Sequence, residues 1–469
     1  MYLLPTVSDR QLFKIAVIHF KTEIKMYNFR EDFYADVRTE NRFTTTIQYV
    51  NGQKKESKVR IEERAFIRVF DGKMWYYAAT TDMSAIQENL DKLYATAKSN
   101  PKILSNKIVR RFEVNNDVKM QFGPISVRNV PFEEKEKLVL EYLKELKPFN
   151  AAMPVGLYVD RNSVFEFSSS KGAYIKYDYQ TCGFVLSCTF VGEKDYFQAR
   201  FQAGETEFGK LLGKKAAIKR EFTEQQEFSK TAKEVTPGDY TVILSPEAAG
   251  VFAHESFGHK SEADFMLADE GIAKEWVIGK TVASPLLSIV DSGKEKGCGY
   301  CPYDDEGTHA RKNYLIKNGV LTGRLHDSET AAYLKEKLTG NARAVNCTFE
   351  PIVRMTTTYI EGGTYTKDEL FAGVKHGYFI KSIKHGSGMS KFTIAPSVAY
   401  EIVDGKIASP VKISVITGDV FTTLGLINGL SDKVELLSFV TGGCGKMEQG
   451  GLPVGFGGPY VRVSKMFVQ

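Results

Sequence analysis

An α+β fold in two parts is what this sequence predicts, and three observations lead there. Residues 33–78 and 154–203 alternate apolar and polar side chains in runs closed by turn signals, the pattern of antiparallel strands. Residues 84–98 and 133–147 repeat apolar positions at helical spacing, so strands and helices are segregated as in a two-layer α/β unit. Beyond residue 236 the chain becomes Gly-rich and strand-rich, which fits a barrel-like or a sandwich arrangement. We therefore expect an N-terminal α+β domain over 1–235 and a C-terminal β-rich domain over 236–469.

The elements follow in order. Residues 11–27 carry Leu12, Ile15, Ala16 and Phe20 at helical spacing and read as a packing helix. Strands over 33–78 are punctuated by Asn51-Gly52 and Asp71-Gly72, both hairpin dipeptides. In the helix over 84–98, Ile86, Leu90, Leu93 and Tyr94 share one side, and the charges of the 133–147 helix read as a solvated face. Aromatic and β-branched strands fill 154–203 and lack the basic stripe that nucleic-acid stacking would need. A charged helix over 206–235 leads to the turn Thr236-Pro237-Gly238-Asp239, where the main boundary falls. A strand over 240–244 follows, and the C-terminal part then turns at Asn318-Gly319 and Asp404-Gly405.

The chemistry is concentrated in SPEAAGVFAHESFGHKSEADF, residues 245–265. Ser245-Pro246-Glu247 is a helix start: a capping hydroxyl, a proline suited to the first turn, and a carboxylate at the positive end of the dipole. Downstream, His254 and His259 flank Glu255, which is the equipment for holding a divalent metal and activating water. The histidines are five apart, not four as in HExxH. On a regular helix they would diverge by about 140°. Sharing one metal requires a π-bulge or a break near Gly258. The other reading is an ordinary helix with two polar surface histidines.

The composition narrows the partners. A net charge of +5 over 469 residues gives no support for direct nucleic-acid contact. No apolar run approaches the ~18 residues of a membrane span, and the first residues do not read as a signal peptide. Six sparse cysteines suit reduced thiols, so the expected location is cytoplasmic. Cys298-Gly-Tyr-Cys301 lacks the second pair of a structural zinc site and the setting of a redox motif. The stretch 441–459 is rich in glycine and offers one soft ligand, Cys444; a lone cysteine is more often a small buried hydrophobe.

Four blocks in order resemble the TldD/PmbA family of peptidases, in its catalytic TldD-like branch. They are HESFGHKSEADF, the DDEGT…NGVL…LHD region within 304–331, NARAV…PIVRMTTTYIEGG within 341–363, and GGCGKMEQGGLPVGFGGPYVRV within 442–463. The resemblance is dense from about residue 236 to the end and weaker over 33–95. It implies a C-terminal domain with a barrel-like core, zinc held by His254, His259 and Cys444, and Glu255 as the catalytic base. It also implies a metallopeptidase acting on short or unfolded peptides, as a homodimer or paired with a PmbA/TldE-like subunit. Glu262 and Asp264 are candidates to orient the histidines. His309, His326 and Arg354 are candidate substrate contacts whose roles the spacing leaves open. The alternative is a non-catalytic peptide-binding or regulatory subunit, of the kind called a gyrase modulator.

Overall fold

The computed structural model describes residues 27–193 and 195–469, so nearly all of the helix expected over 11–27 lies outside the described residues. Strands β1 (Tyr34–Val50) and β2 (Gln53–Phe70) form one long antiparallel hairpin about Asn51-Gly52. Both turn residues are left-handed, with φ of 51° and 75°, as a two-residue hairpin of this kind requires. β3 (Trp75–Thr80), β4 (Asn116–Lys119), β5 (Ala152–Ser169), β6 (Tyr174–Val191) and β7 (Tyr196–Glu205) complete a seven-stranded sheet. Its order is β3-β2-β1-β5-β6-β4, with β7 also paired to β6.

Helices α1 (Ile86–Thr96), α2 (Phe132–Lys144) and α3 (Lys215–Thr231) supply apolar stripes to this sheet. Ile86, Leu90 and Tyr94 of α1 pack with Val37, Ile67 and Val69. Leu138, Val139 and Tyr142 of α2 join Phe184 and Leu186 of β6 and Phe222 of α3. One charge on α2 departs from the solvated face expected of it. Lys135 is buried, 2.7 Å from Asp160, and also donates to the Thr45 hydroxyl. The long aliphatic stem lets this cation reach a carboxylate inside the sheet.

The C-terminal half is built on a closed five-stranded barrel of β8 (Gly238–Leu244), β9 (His376–Gly388), β10 (Lys391–Val403), β11 (Ile416–Asp419) and β12 (Val461–Val468). β8 runs parallel to β9, and the remaining contacts, β9–β10, β10–β11, β11–β12 and β12–β8, are antiparallel. Closure leaves this part of the chain without open sheet edges over its paired length. A second sheet of six strands lies alongside, including Ile289–Ser292, Thr357–Ile360 and Gly455–Gly458. No described helix is long and apolar enough to cross a membrane.

Between barrel and second sheet runs α4 (Pro246–Ala253), with every residue buried except the half-buried Glu247. Ser245 caps it, its hydroxyl accepting the Ala248 N–H. A helix that is apolar all round belongs in a core. Close approach is possible because Gly250 faces Gly457: a Cβ there would stand 2.5 Å from the Gly457 nitrogen. Gly250→Ala is therefore expected to destabilise the chain more than Gly258→Ala, although both residues are buried in the same run. The first pushes against backbone; the second meets the tip of Met355, a side chain that can turn aside. Denaturation midpoints of the two variants check this, with a cost of about 1–3 kcal/mol expected for overpacking alone.

The two halves are tied by buried charge. Arg68 of β2 reaches Asp36 at 2.6 Å and Glu306 at 3.2 Å, and Glu306 in turn accepts the Ser328 N–H and hydroxyl. Arg38 of β1 pairs with Asp305 at 2.8 Å and donates to the Phe349 carbonyl.

Candidate metal centre

Directly after α4 the helix widens. Residues His254–Gly258 form a π turn, in which the His259 N–H donates to the His254 carbonyl. An i→i+5 turn accommodates one more residue than an α turn, so positions five apart come to stand over one another. The two imidazoles, which would diverge on a regular helix, meet edge to face with centroids 5.2 Å apart. The turn does not draw on the conformational freedom of Gly258. Its φ of −57° and ψ of −53° are ordinary helical values. A Cβ here would lie 2.1 Å from the sulfur of Met355, a flexible side chain packed directly on this turn.

The third member arrives from far along the chain. Cys444 begins a short hairpin, Cys444–Lys446 with Gln449–Leu452, that brings its thiol in beside both rings. Its Sγ lies 3.3 Å from His259 Nε2, and the three prospective ligand atoms of His254, His259 and Cys444 all lie within 4.8 Å of one another.

The hairpin is held by two buried cations. Arg354 donates to the carbonyls of Cys444, at 2.7 Å, and Gln449, at 3.0 Å. Lys446 reaches Asp264 at 2.7 Å, Glu262 at 3.1 Å and the Val353 carbonyl at 2.8 Å. Glu262, fully buried, also holds His259 Nδ1 at 3.3 Å. Glu262 therefore orients a histidine, whereas Asp264 pairs with Lys446. Lys446 is the residue that sequence reasoning missed. Its signal was the two-residue spacing from Cys444, which on a strand places both side chains on one face.

The electrostatics fit a cation among these donors. Burial raises the Cys444 thiol, but the charges and hydrogen bonds of His254 and His259 outweigh it and bring it down to about 5. Burial lowers His259, and hydrogen bonds from Cys444 and Glu262 overcome it, lifting the ring to about 10. Both shifts mark a place that favours positive charge beside the sulfur, a demand that one metal ion among these donors would meet. Once Nδ1–H is committed to Glu262, Nε2 turns its lone pair toward sulfur, and only a cation or proton between them makes that contact favourable. His254 Nδ1 is buried and has no hydrogen-bond partner. Zinc bonds of about 2.0–2.3 Å place tetrahedral donors roughly 3.3–3.6 Å apart, close to the sulfur–nitrogen contact seen here. One thiolate with two imidazoles is a zinc-type set that leaves a fourth position open.

Glu255 stands in the same π turn, half-buried. Burial raises its carboxyl, with His254 and His259 pulling the other way. Strand β9 passes close by: Cβ atoms on Gly386 and Gly388 would lie 3.0 Å and 2.7 Å from Glu255 atoms.

The remaining candidates are elsewhere. Arg354 is a clamp on the hairpin backbone, as described above. His326 is buried between Thr330 and Glu336, at 3.1 and 2.9 Å, beside the start of the helix Ser328–Leu334. His309 packs edge to face on Tyr303, with Nδ1 against the Ala310 carbonyl. Cys298 and Cys301 are free, buried thiols, each directed at a backbone carbonyl.

Residues 237–469 match the model of the PmbA/TldA metallopeptidase C-terminal domain, and residues 35–100 match the model of domain 1 of the same family. A metalloprotease of Methanothermobacter thermautotrophicus is 30% identical over 465 residues, covering 93% of this chain and 95% of its own. The zinc metalloprotease TldD homolog of Saccharolobus solfataricus is 34% identical over 235 residues, 49% of this chain and 52% of its own. Among solved structures, TldE from Thermococcus kodakarensis superposes with a TM-score of 0.76 at 14% identity, covering 97% of this chain and 99% of its own, a likeness of fold. With the two domain models matched in order and a full-length relative at this identity, the chain belongs to the TldD/PmbA family of metallopeptidases.

Proposed function

We propose that this chain is a zinc-dependent peptidase acting on short or unfolded peptides, with His254, His259 and Cys444 as zinc ligands and Glu255 as general base. The observation that carries this reading is the π turn at His254–Gly258, which brings two histidines of unusual spacing onto one thiol. Zinc, when bound, supplies a Lewis acid that polarises a peptide carbonyl and eases the ionisation of water. The chain does the rest. Glu255, its proton affinity raised by burial, accepts the proton lost by the attacking water and returns it to the leaving amine. Glu262 fixes the tautomer and plane of His259, and Lys446 fixes Glu262.

A peptide has a place to lie. Beyond Ile380, β9 leaves β8 and keeps only β10 as a ladder partner, while Gly386 and Gly388 hold side chains away from Glu255. An extended peptide added along that edge presents its backbone to the base. Backbone pairing reads no side chains, which suits unstructured substrates of loose sequence preference.

Other parts of the reading follow. We place the domain boundary at 235/236, with dimer and substrate contacts on the N-terminal part. The likeness to TldE supports a partner of this same fold, either a second copy or a TldE-like subunit. Six unpaired cysteines suit a reducing compartment, hence the cytoplasm. The intact histidine, glutamate and cysteine set speaks against a non-catalytic or gyrase-modulating subunit. Digestion of a mixed peptide library, with and without chelator, tests the reading. Cleavage that stops with chelator and returns with zinc is expected; chelator-insensitive cleavage, or none with zinc bound, counts against it.

A further inference from the structure

Where the N-terminal sheet meets the C-terminal half there is a cavity of about 50 Å³. Its walls include Arg161, Tyr177 and Tyr179 from one side and Arg343, Leu452 and Pro453 from the other. Leu452 is the direct strand partner of Cys444, so the cavity wall stands one strand from the proposed ligand thiol. Ligand sites favour such junctions between parts of a chain.

The charges around it do not balance. Arg343 is buried, 6% exposed, and donates to the carbonyls of Met355 and Pro453. Among the described residues it forms no ion pair with any carboxylate. Arg161 and Arg42 share a single carboxylate, Glu40, at 2.7 and 2.9 Å. The acid on the cavity wall, Asp305, is already held by Arg38 and by the Ala344 N–H. Neighbouring Asp304 spends its oxygens on the backbone N–H groups of Glu306, Thr308 and Ala342. Arg354 also spends its buried charge on carbonyls alone; what sets Arg343 apart is that its guanidinium, also in contact with the Cys301 thiol, lines a cavity, where an anion could neutralise it. Its forked N–H groups match a carboxylate in shape as well as charge. Val345, Asn346 and Pro453 in its wall are half-buried, so the lining is not wholly sealed from solvent.

We infer that this cavity is a carboxylate subsite, in which Arg343 anchors an acidic group of the peptide, either its C-terminal carboxylate or a Glu or Asp side chain. A space of about 50 Å³ is enough for a carboxylate head. The subsite adds to the peptidase reading, and rests on it, by giving a backbone-reading enzyme one point of chemical preference.

The test uses the full chain and two pairs of peptides. One pair differs in a C-terminal carboxylate against a carboxamide, the other in an internal Glu against Gln. The first reports a terminal anchor and the second a side-chain anchor. Roughly tenfold or greater preference for the charged member of either pair is expected, the ratio an ordinary charge-assisted hydrogen bond supplies. That preference should vanish in Arg343→Gln and survive in part in Arg343→Lys. Equal cleavage within both pairs overturns the subsite and leaves the peptidase reading standing. Should no peptide be cleaved, or the Arg343 variants fail to fold, thermal stabilisation of the unaltered chain by N-acetylglycine but not N-acetylglycinamide decides. Identical behaviour of those two probes overturns the subsite without reference to turnover.

Discussion

Glu255→Gln is expected to keep its zinc and lose its hydrolysis. The substitution preserves shape and removes only the ability to take a proton. General bases contribute about 100- to 10,000-fold, so kcat should fall by that factor while KM stays near its original value. Metal content should remain at one zinc per chain, since the proposed ligands are the neighbouring His254 and the more distant His259 and Cys444. The partner control is Cys444→Ser. A hydroxyl does not ionise as the thiol does, so this variant should lose metal and activity together. Measured side by side, kcat and zinc stoichiometry separate the two roles. A Glu255→Gln enzyme of undiminished kcat would remove Glu255 from the mechanism, whatever the metal data show.

Arg354→Ala is expected to cost about 3 kcal/mol of stability, because two buried carbonyls each lose a partner worth about 1–3 kcal/mol and a void is added. Arg354 is fully buried, and its two donors hold Cys444 and Gln449, the first residues of the two strands in the ligand hairpin. Loosening that hairpin should also weaken zinc binding, although Arg354 touches no ligand side chain. Arg354→Lys should recover less than half, since a point charge cannot span both carbonyls as a planar fork does. Denaturant midpoints at unchanged slope give the stability term, and chelator competition gives the metal term. A cost below about 1 kcal/mol would mean that the hairpin holds its place without this clamp.

Much of the architecture was legible because it depends on local pattern. Asn51-Gly52, Asn318-Gly319 and Asp404-Gly405 all adopt the left-handed turn pair the dipeptides demand. The apolar spacing of α1 and the cap at Ser245 are likewise properties of a few consecutive residues. Lys135 shows where such reading stops. Nothing nearby in sequence reveals that a carboxylate 25 positions later, Asp160, waits inside the sheet for it.

The candidate site divides in the same way. The five-residue interval between His254 and His259 meant that sharing one metal would take a π-bulge or a break near Gly258, against the alternative of an ordinary helix with two surface histidines, and the π turn is what the structure contains. The sequence also placed a capped helix ahead of those rings. Tertiary structure alone decided the rest. Cys444 lies 185 residues beyond His259, and its approach depends on Arg354 and Lys446 gripping a hairpin that has no local signal for its destination. Met355, from a segment about a hundred residues away, packs directly on Gly258, whose backbone is ordinary helix. Spacing along a chain sets which way side chains point within one element; which elements meet is set by buried charge and close contact between distant segments, and those appear only once the chain is folded.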